Sequence, residues 1–166
     1  MFDQPEIFDR CLEDAVRFHG HLCGGQIIGV RMALAGLREF YPERRLVVDF
    51  MSHTCSRTRA LLDEFASSFA DAGLLVLHRI YPSAREAPDP ETTGRLLYER
   101  ALAATPEPVR PSRRYYEDPL DALPFLSDEL RPGDLFVTMG AGDNWKLGRA
   151  LYDARAAAEA RSKGQS

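Results

Sequence analysis

The chain has 166 residues, 45% of them hydrophobic and 28% charged, which is room for one globular domain with a real core. Its net charge of −4 gives no electrostatic ground for binding nucleic acid or a membrane surface, and no apolar run reaches the length of a transmembrane helix. Three cysteines without regular spacing, in a chain with no apolar leader, fit a reducing compartment, so a cytoplasmic protein is expected.

Residues 6 to 18 set Phe8, Leu12, Ala15 and Phe18 on one side of an amphipathic helix. The stretch His19-Gly20-His21-Leu22-Cys23-Gly24-Gly25 interrupts it, and Ile27, Val30, Leu34, Leu37 and Tyr41 then recur at helical spacing until Pro42. Leu46 to Met51 is β-rich and bounded by charges, so the first strand is expected there, with a loop over Ser52 to Ser56. Leu61, Leu62, Phe65 and Phe69 mark a helix over 57–71, with Ser56 as its N-cap and Gly73 beyond its end. Leu74 to Leu77 reads as the second strand, with Ile80 as its outer limit. A β-α-β order with a crossover of this length implies parallel strands.

A loop rich in Pro, Glu and Asp follows Tyr81-Pro82, and Asp89 before Pro90 predicts a capped helix over 90–104. A proline-rich connector over 105–111 leads to a short strand over 113–116, and Asp118-Pro119 opens a helix to Leu130. The chain is organised around its next stretch. Leu135 to Met139 is a short apolar strand, Gly140-Ala141-Gly142-Asp143 a tight turn, and Trp145, Leu147, Ala150 and Leu151 start the last helix. Such a turn offers backbone N–H groups at a helix N-terminus, where a phosphate or carboxylate is a natural guest. On spacing alone, Asp143 reads rather as a plain N-cap, with the glycines there for backbone geometry.

Gly133-Asp134 and the stretch Leu135 to Gly148 resemble the last strand and helix of the Mur ligases, in particular those of the UDP-N-acetylmuramate–L-alanine ligase type. Arg38 to Val48 resembles that family's helix and first strand, Ser56 to Ala66 its next helix, and Ile80 to Pro88 its loop after the second strand. The resemblance covers about residues 29–154 and implies the C-terminal domain of these ligases. That domain has a Rossmann-like fold and closes over the site of an ATP-driven amide synthesis in peptidoglycan biosynthesis. It sets Arg57 to meet an anionic group, with His53 before it, and puts Gly140, Gly142, Asp143 and Lys146 in the terminal turn and helix. No Gly-x-x-x-x-Gly-Lys-Ser/Thr sequence occurs, so the ATP-phosphate cradle is missing and a complete ligase is not expected. The family's Asp-Asp-Tyr-Gly/Ala-His-His-Pro segment would fall near residues 21 to 27, which differ here. Thr54 and Cys55 stand where the family has an arginine and a tyrosine.

The residues at the front form a motif of their own. Phe18 to Ala33 is similar to the opening of the FmdE family of formylmethanofuran dehydrogenase proteins, which carries Phe-His-Gly-His-Leu-Cys-Pro-Gly, with Gly24 here in place of the proline. Two imidazoles and a thiol within five residues can converge on a borderline cation such as zinc. A metal site of His19, His21 and Cys23, completed by Cys55 or His53 at the C-terminal edge of the sheet, is therefore expected, against the alternative that Cys23 packs as a small hydrophobe and His19 caps the first helix. Cys11 and His78 read as structural or surface residues. A thiolate nucleophile at Cys23 or Cys55 is weakly supported, because adjacency to a histidine in sequence is not catalytic geometry.

The expected fold is a single α/β domain over 1–162, with a Rossmann-like, mostly parallel sheet flanked by helices, an N-terminal helical hairpin laid across its C-terminal edge, and a polar tail at 163–166. Residues 1–28 hold the FmdE-like motif and 29–154 the Mur-like part. Three functions stay open: a Mur-like module with an anion, nucleotide (ATP) or amino-acid subsite, an FmdE-like metal-binding protein, and an interaction module without chemistry. The partners expected are a small anionic ligand or nucleotide, and either another chain supplying the missing domains or a second copy.

Overall fold

The computed structural model describes residues 25–82, 86–87 and 89–163. Among these, β1 (Leu46–Met51), β2 (Leu74–Leu77), β3 (Arg113–Tyr115) and β4 (Leu135–Gly140) form one sheet in the order β3-β2-β1-β4, with every pairing parallel. The flanking helices are α1 (Gly25–Phe40), α2 (Cys55–Ala60), α3 (Leu62–Ser68), α4 (Gly94–Ala104), α5 (Leu123–Glu129) and α6 (Trp145–Lys163), with 3-10 turns at Glu107–Ser112 and Pro119–Ala122. No helix among the described residues is long and apolar enough to cross a membrane.

Helices cover both faces of the sheet, which is why β1 and β2 are continuous apolar runs rather than alternating ones. Leu46, Val48 and Phe50 of β1 point to one face, where Leu34 of α1, Phe65 and Phe69 after α2, and Leu97 and Ala101 of α4 close over them. Val47, Leu74 and Val76 point to the other face, against Ala122, Leu126, Leu147 and Leu151. Asp49 is the charged exception in β1 and is fully buried.

At the opposite edge from the strand C-termini, Arg45 fixes the start of β1 to the segment before β4. Its guanidinium donates to Asp134 Oδ1 (3.1 Å) and Oδ2 (2.7 Å), and to Glu129 Oε1 (2.7 Å) and the Glu129 carbonyl (3.0 Å). Burial would raise the Asp134 carboxyl, but its hydrogen bonds from Arg45 and the Arg131 N–H outweigh this and hold it below the usual range.

The structure revises several local expectations. The helix over 57–71 is two segments, α2 and α3, broken at Leu61 (φ −129°), although Leu61 N–H still donates to Arg57 and Phe65 N–H to Leu61. Ser56 is not its N-cap: α2 starts at Cys55, behind Thr54. The helix placed from Pro90 starts at Gly94, capped by the Thr93 hydroxyl accepting from Leu96 N–H. Asp89 instead makes a local turn, accepting from Glu91 N–H and the Thr92 hydroxyl. Of the N-terminal hairpin, residues 6–18 lie outside the described residues. The second helix, α1, packs through Leu34 on the Phe65 and Phe69 cluster, and Arg38 donates to the Asp71 carbonyl, so it flanks one face rather than lying across the C-terminal edge.

Candidate functional site

Three loops meet at the C-terminal edge of β1, β2 and β4. Tyr81 N–H donates to the Ser52 carbonyl (2.8 Å) and Thr54 N–H to the Tyr81 carbonyl (3.3 Å), so the β1 and β2 loops zip together beyond the sheet in an isolated bridge between His53 and Tyr81. The His53 and Tyr81 rings lie 6.1 Å apart. The turn after β4 closes against the same tyrosine: a Cβ at Gly142 would fall 2.1 Å from the Tyr81 ring. Gly142 (φ +82°) and Gly140 (φ +109°) both sit where L side chains are disfavoured. Thr54 takes φ 67° without being glycine, a strained loop residue; Thr58 Oγ1 donates to the Thr54 carbonyl and pairs with Ser52 Oγ at 2.6 Å.

The edge therefore brings His53 and Gly142 together through Tyr81, a residue that no local sequence signal marked. Gly140 lies beside them, with Ala141 N–H donating to the Met51 carbonyl. Asp143 and Lys146 pair with each other at 3.1 Å, half exposed, at the start of α6. The N–H groups of Lys146 and Leu147 donate to the carbonyls of Asp143 and Asn144, so these two donors of the helix start already have partners. Arg57 is half-buried in α2, and its guanidinium has no hydrogen-bond or ion-pair partner among the described residues. His19, His21 and Cys23 lie outside the described residues. Among the described ones no three His, Cys, Asp or Glu side chains are grouped as metal ligands would be.

Beside this edge, toward β3, lies a cavity of about 540 Å³ lined by Cys55, Arg79, Glu86, Asp89, Arg95 and Tyr115 among others. Glu86 receives the N–H groups of Cys55 (2.8 Å) and Ser56 (2.7 Å), and hydrogen bonding by Ser56 holds its carboxyl below the usual range. This carboxylate does the capping that Ser56 was expected to do. Arg95 stacks its guanidinium 4.4 Å over Tyr115. Burial pushes the Cys55 thiol up, as does the Glu86 charge, with Arg59 opposing, so the environment disfavours a thiolate nucleophile.

Comparison with known proteins gives two similarities. The FmdE family model, described as molybdenum formylmethanofuran dehydrogenase operon, matches residues 18–78, from the His-Gly-His-Leu-Cys motif through β1, α2, α3 and β2. UDP-N-acetylmuramate–L-alanine ligases match 75% of the chain: that of Treponema pallidum is 54% identical over 126 residues and that of Symbiobacterium thermophilum 45% identical over 125. The chain spans about 25% of the length of these relatives and corresponds to their C-terminal domain. A solved UDP-N-acetylmuramate–alanine ligase of Thermotoga maritima shares the fold with TM-score 0.54 and 18% identity, over 78% of this chain and 24% of that one.

Proposed function

We propose that this chain works as a Mur-ligase C-terminal-domain-like module that keeps a subsite for a small anion, nucleotide or amino acid, with another polypeptide supplying the ATP-phosphate cradle. The observation that carries the reading is the 54% identity to a curated ligase over 126 residues, far above what a shared scaffold alone requires. The geometry supports it at Arg57, a half-buried guanidinium without a partner among the described residues. Such a fork suits a carboxylate or phosphate, which it can grip through two parallel N–H donors. His53 on the β1 loop, Gly140, Gly142 and Asp143 in the turn after β4, and Lys146 at the start of α6 form the rest of the subsite.

Titration calorimetry of the chain with magnesium ATP and, separately, with L-alanine tests this. One of the two binds, and Arg57→Ala weakens that binding about tenfold or more, the loss of roughly one charge-assisted hydrogen bond, with unchanged thermal unfolding. No heat with either ligand rejects the subsite.

A second reading is favoured by the span of the FmdE match, which contains His19, His21, Cys23, His53 and Cys55 together. A zinc-like ion held by the first three and completed by Cys55 or His53 would organise the N-terminal motif on the β1 loop. Cys55 suits the role through its position at the start of α2, directly after that loop, and a bound cation would overcome the burial that keeps its thiol protonated. Metal content by mass spectrometry, on untagged protein purified without chelator, is expected near one equivalent per chain and lost in His21→Ala. Metal-free protein in both cases removes this reading.

A further inference from the structure

Directly under the C-terminal edge, Asp49 of β1 and His78 at the end of β2 form a pair with both side chains fully shielded from solvent. His78 Nδ1 lies 3.0 Å from the Tyr116 carbonyl oxygen, and its Nε2 is in hydrogen-bond contact with Asp49 Oδ1. A carbonyl can only accept, so Nδ1 carries a hydrogen. The contact on the other side then needs a proton of its own, since two lone pairs facing each other in a dry site would repel. That proton makes the pair either imidazolium with carboxylate or imidazole with carboxylic acid, and both are neutral overall.

We propose that Asp49 and His78 retain one shared proton in the folded chain and so form a proton-dependent clamp beneath the candidate site. The pair joins the ends of β1, β2 and β3, and its loss would loosen the strand ends from which the Ser52, Arg79 and Tyr116 segments leave. Among the described residues Asp49 Oδ2 has no hydrogen-bond partner within bonding geometry, a position a neutral carboxyl tolerates better than a carboxylate, and burial raises the Asp49 carboxyl against the smaller opposing influences of His78 and Asn144. The surroundings add little charge. The register partner on β4 is Thr138, and from the turn before α6 the Asn144 amide approaches, its own N–H donated to the Met139 carbonyl. α4 meets His78 with Gly94, whose Cβ would fall 2.1 Å from the His78 carbonyl. The charged neighbours are Arg79, next to His78 in the chain, and Asp118, paired with each other at 3.3 Å and partly exposed.

The sign follows from counting protons. In the unfolded chain Asp49 is ionised above about pH 4 and His78 is neutral above about pH 6.5, so above that value the folded chain holds one proton more than the unfolded one and stability falls as pH rises. Asp49→Asn gives a neutral partner whose amide can donate to unprotonated Nε2, with no shared proton. Urea unfolding of the full chain and this variant is measured from about pH 5 to 8, where the two unfolded chains differ only by an ionised Asp49. The ratio of wild-type to variant folding constants falls about tenfold per pH unit. A ratio independent of pH overturns the clamp. Should Asp49→Asn fail to fold, ¹⁵N shifts of the His78 ring in the wild-type chain decide: Nδ1 protonated and unchanged across this range supports the shared proton. A ring that titrates freely near pH 6.5, or carries its hydrogen only on Nε2, rejects it.

Discussion

Phe50→Ala should lower the unfolding free energy by about 3–5 kcal/mol, among the largest effects of any single truncation in this chain. Phe50 is 1% exposed in the central strand β1, with its ring 5.0 Å from Phe69 and 5.6 Å from Phe65 in tilted packing. Removing it forfeits the transfer of a large ring and leaves a hole bounded by the sheet on one side and two helices on the other, walls that cannot collapse independently. The two tilted ring pairs add about 0.5–1.5 kcal/mol each beyond burial, which places the expected loss toward the upper end. Urea unfolding beside Phe40→Ala checks this. Phe40 is 44% exposed at the end of α1, and its truncation should cost within about 0.5 kcal/mol. A loss at Phe50 as small as that at Phe40 would show that the aromatic cluster is not what holds α3 to the sheet.

What the sequence revealed of this fold follows from how local each cause is. Leu46–Met51 is legible to the residue, and Leu74–Leu77 up to an end left open as far as Ile80, because strands covered on both faces are apolar almost throughout, and charges or glycine bound them. The helix starts were harder. Asp89-Pro90 is a true local signal, but its carboxylate closes a turn, and the helix waits for Thr93 and for the glycine that can pass the His78 carbonyl. The capping of α2 was invisible because its acceptor, Glu86, comes from a loop thirty residues on. The same distance in sequence hid most of the site. Gly140 and Gly142 could be named from the turn they make, whereas Tyr81 matters only because two loops and a turn converge on it. His78, read as a structural or surface residue, is structural and buried; its partner Asp49 lies inside an apolar run, and only the sheet brings the two together.

Gly140→Ala is the second large effect, about 3–4 kcal/mol, and comparison with two other glycines separates its causes. At Gly140 a Cβ would lie 2.0 Å from the Met51 carbonyl oxygen, and φ is +109°. The backbone conformation alone costs an L residue about 1–2 kcal/mol, and the overlap forces β1 and β4 apart at the edge where Ala141 N–H holds that same carbonyl, a further 1–3 kcal/mol or so. Gly133 has φ +93° and no atom within 4 Å of its Cβ position, so Gly133→Ala should show the conformational cost by itself, about 1 kcal/mol. Gly142 meets the Tyr81 ring rather than backbone, and a ring can swing aside. Gly142→Ala should therefore cost less than Gly140→Ala but move Tyr81 away from His53, so its signature is altered ligand response at modest loss of stability. The order Gly140 above Gly142 above Gly133 in unfolding experiments is the expected result. If Gly140→Ala costs no more than Gly133→Ala, the turn after β4 does not sit against Met51, and the subsite built on it would have to be abandoned.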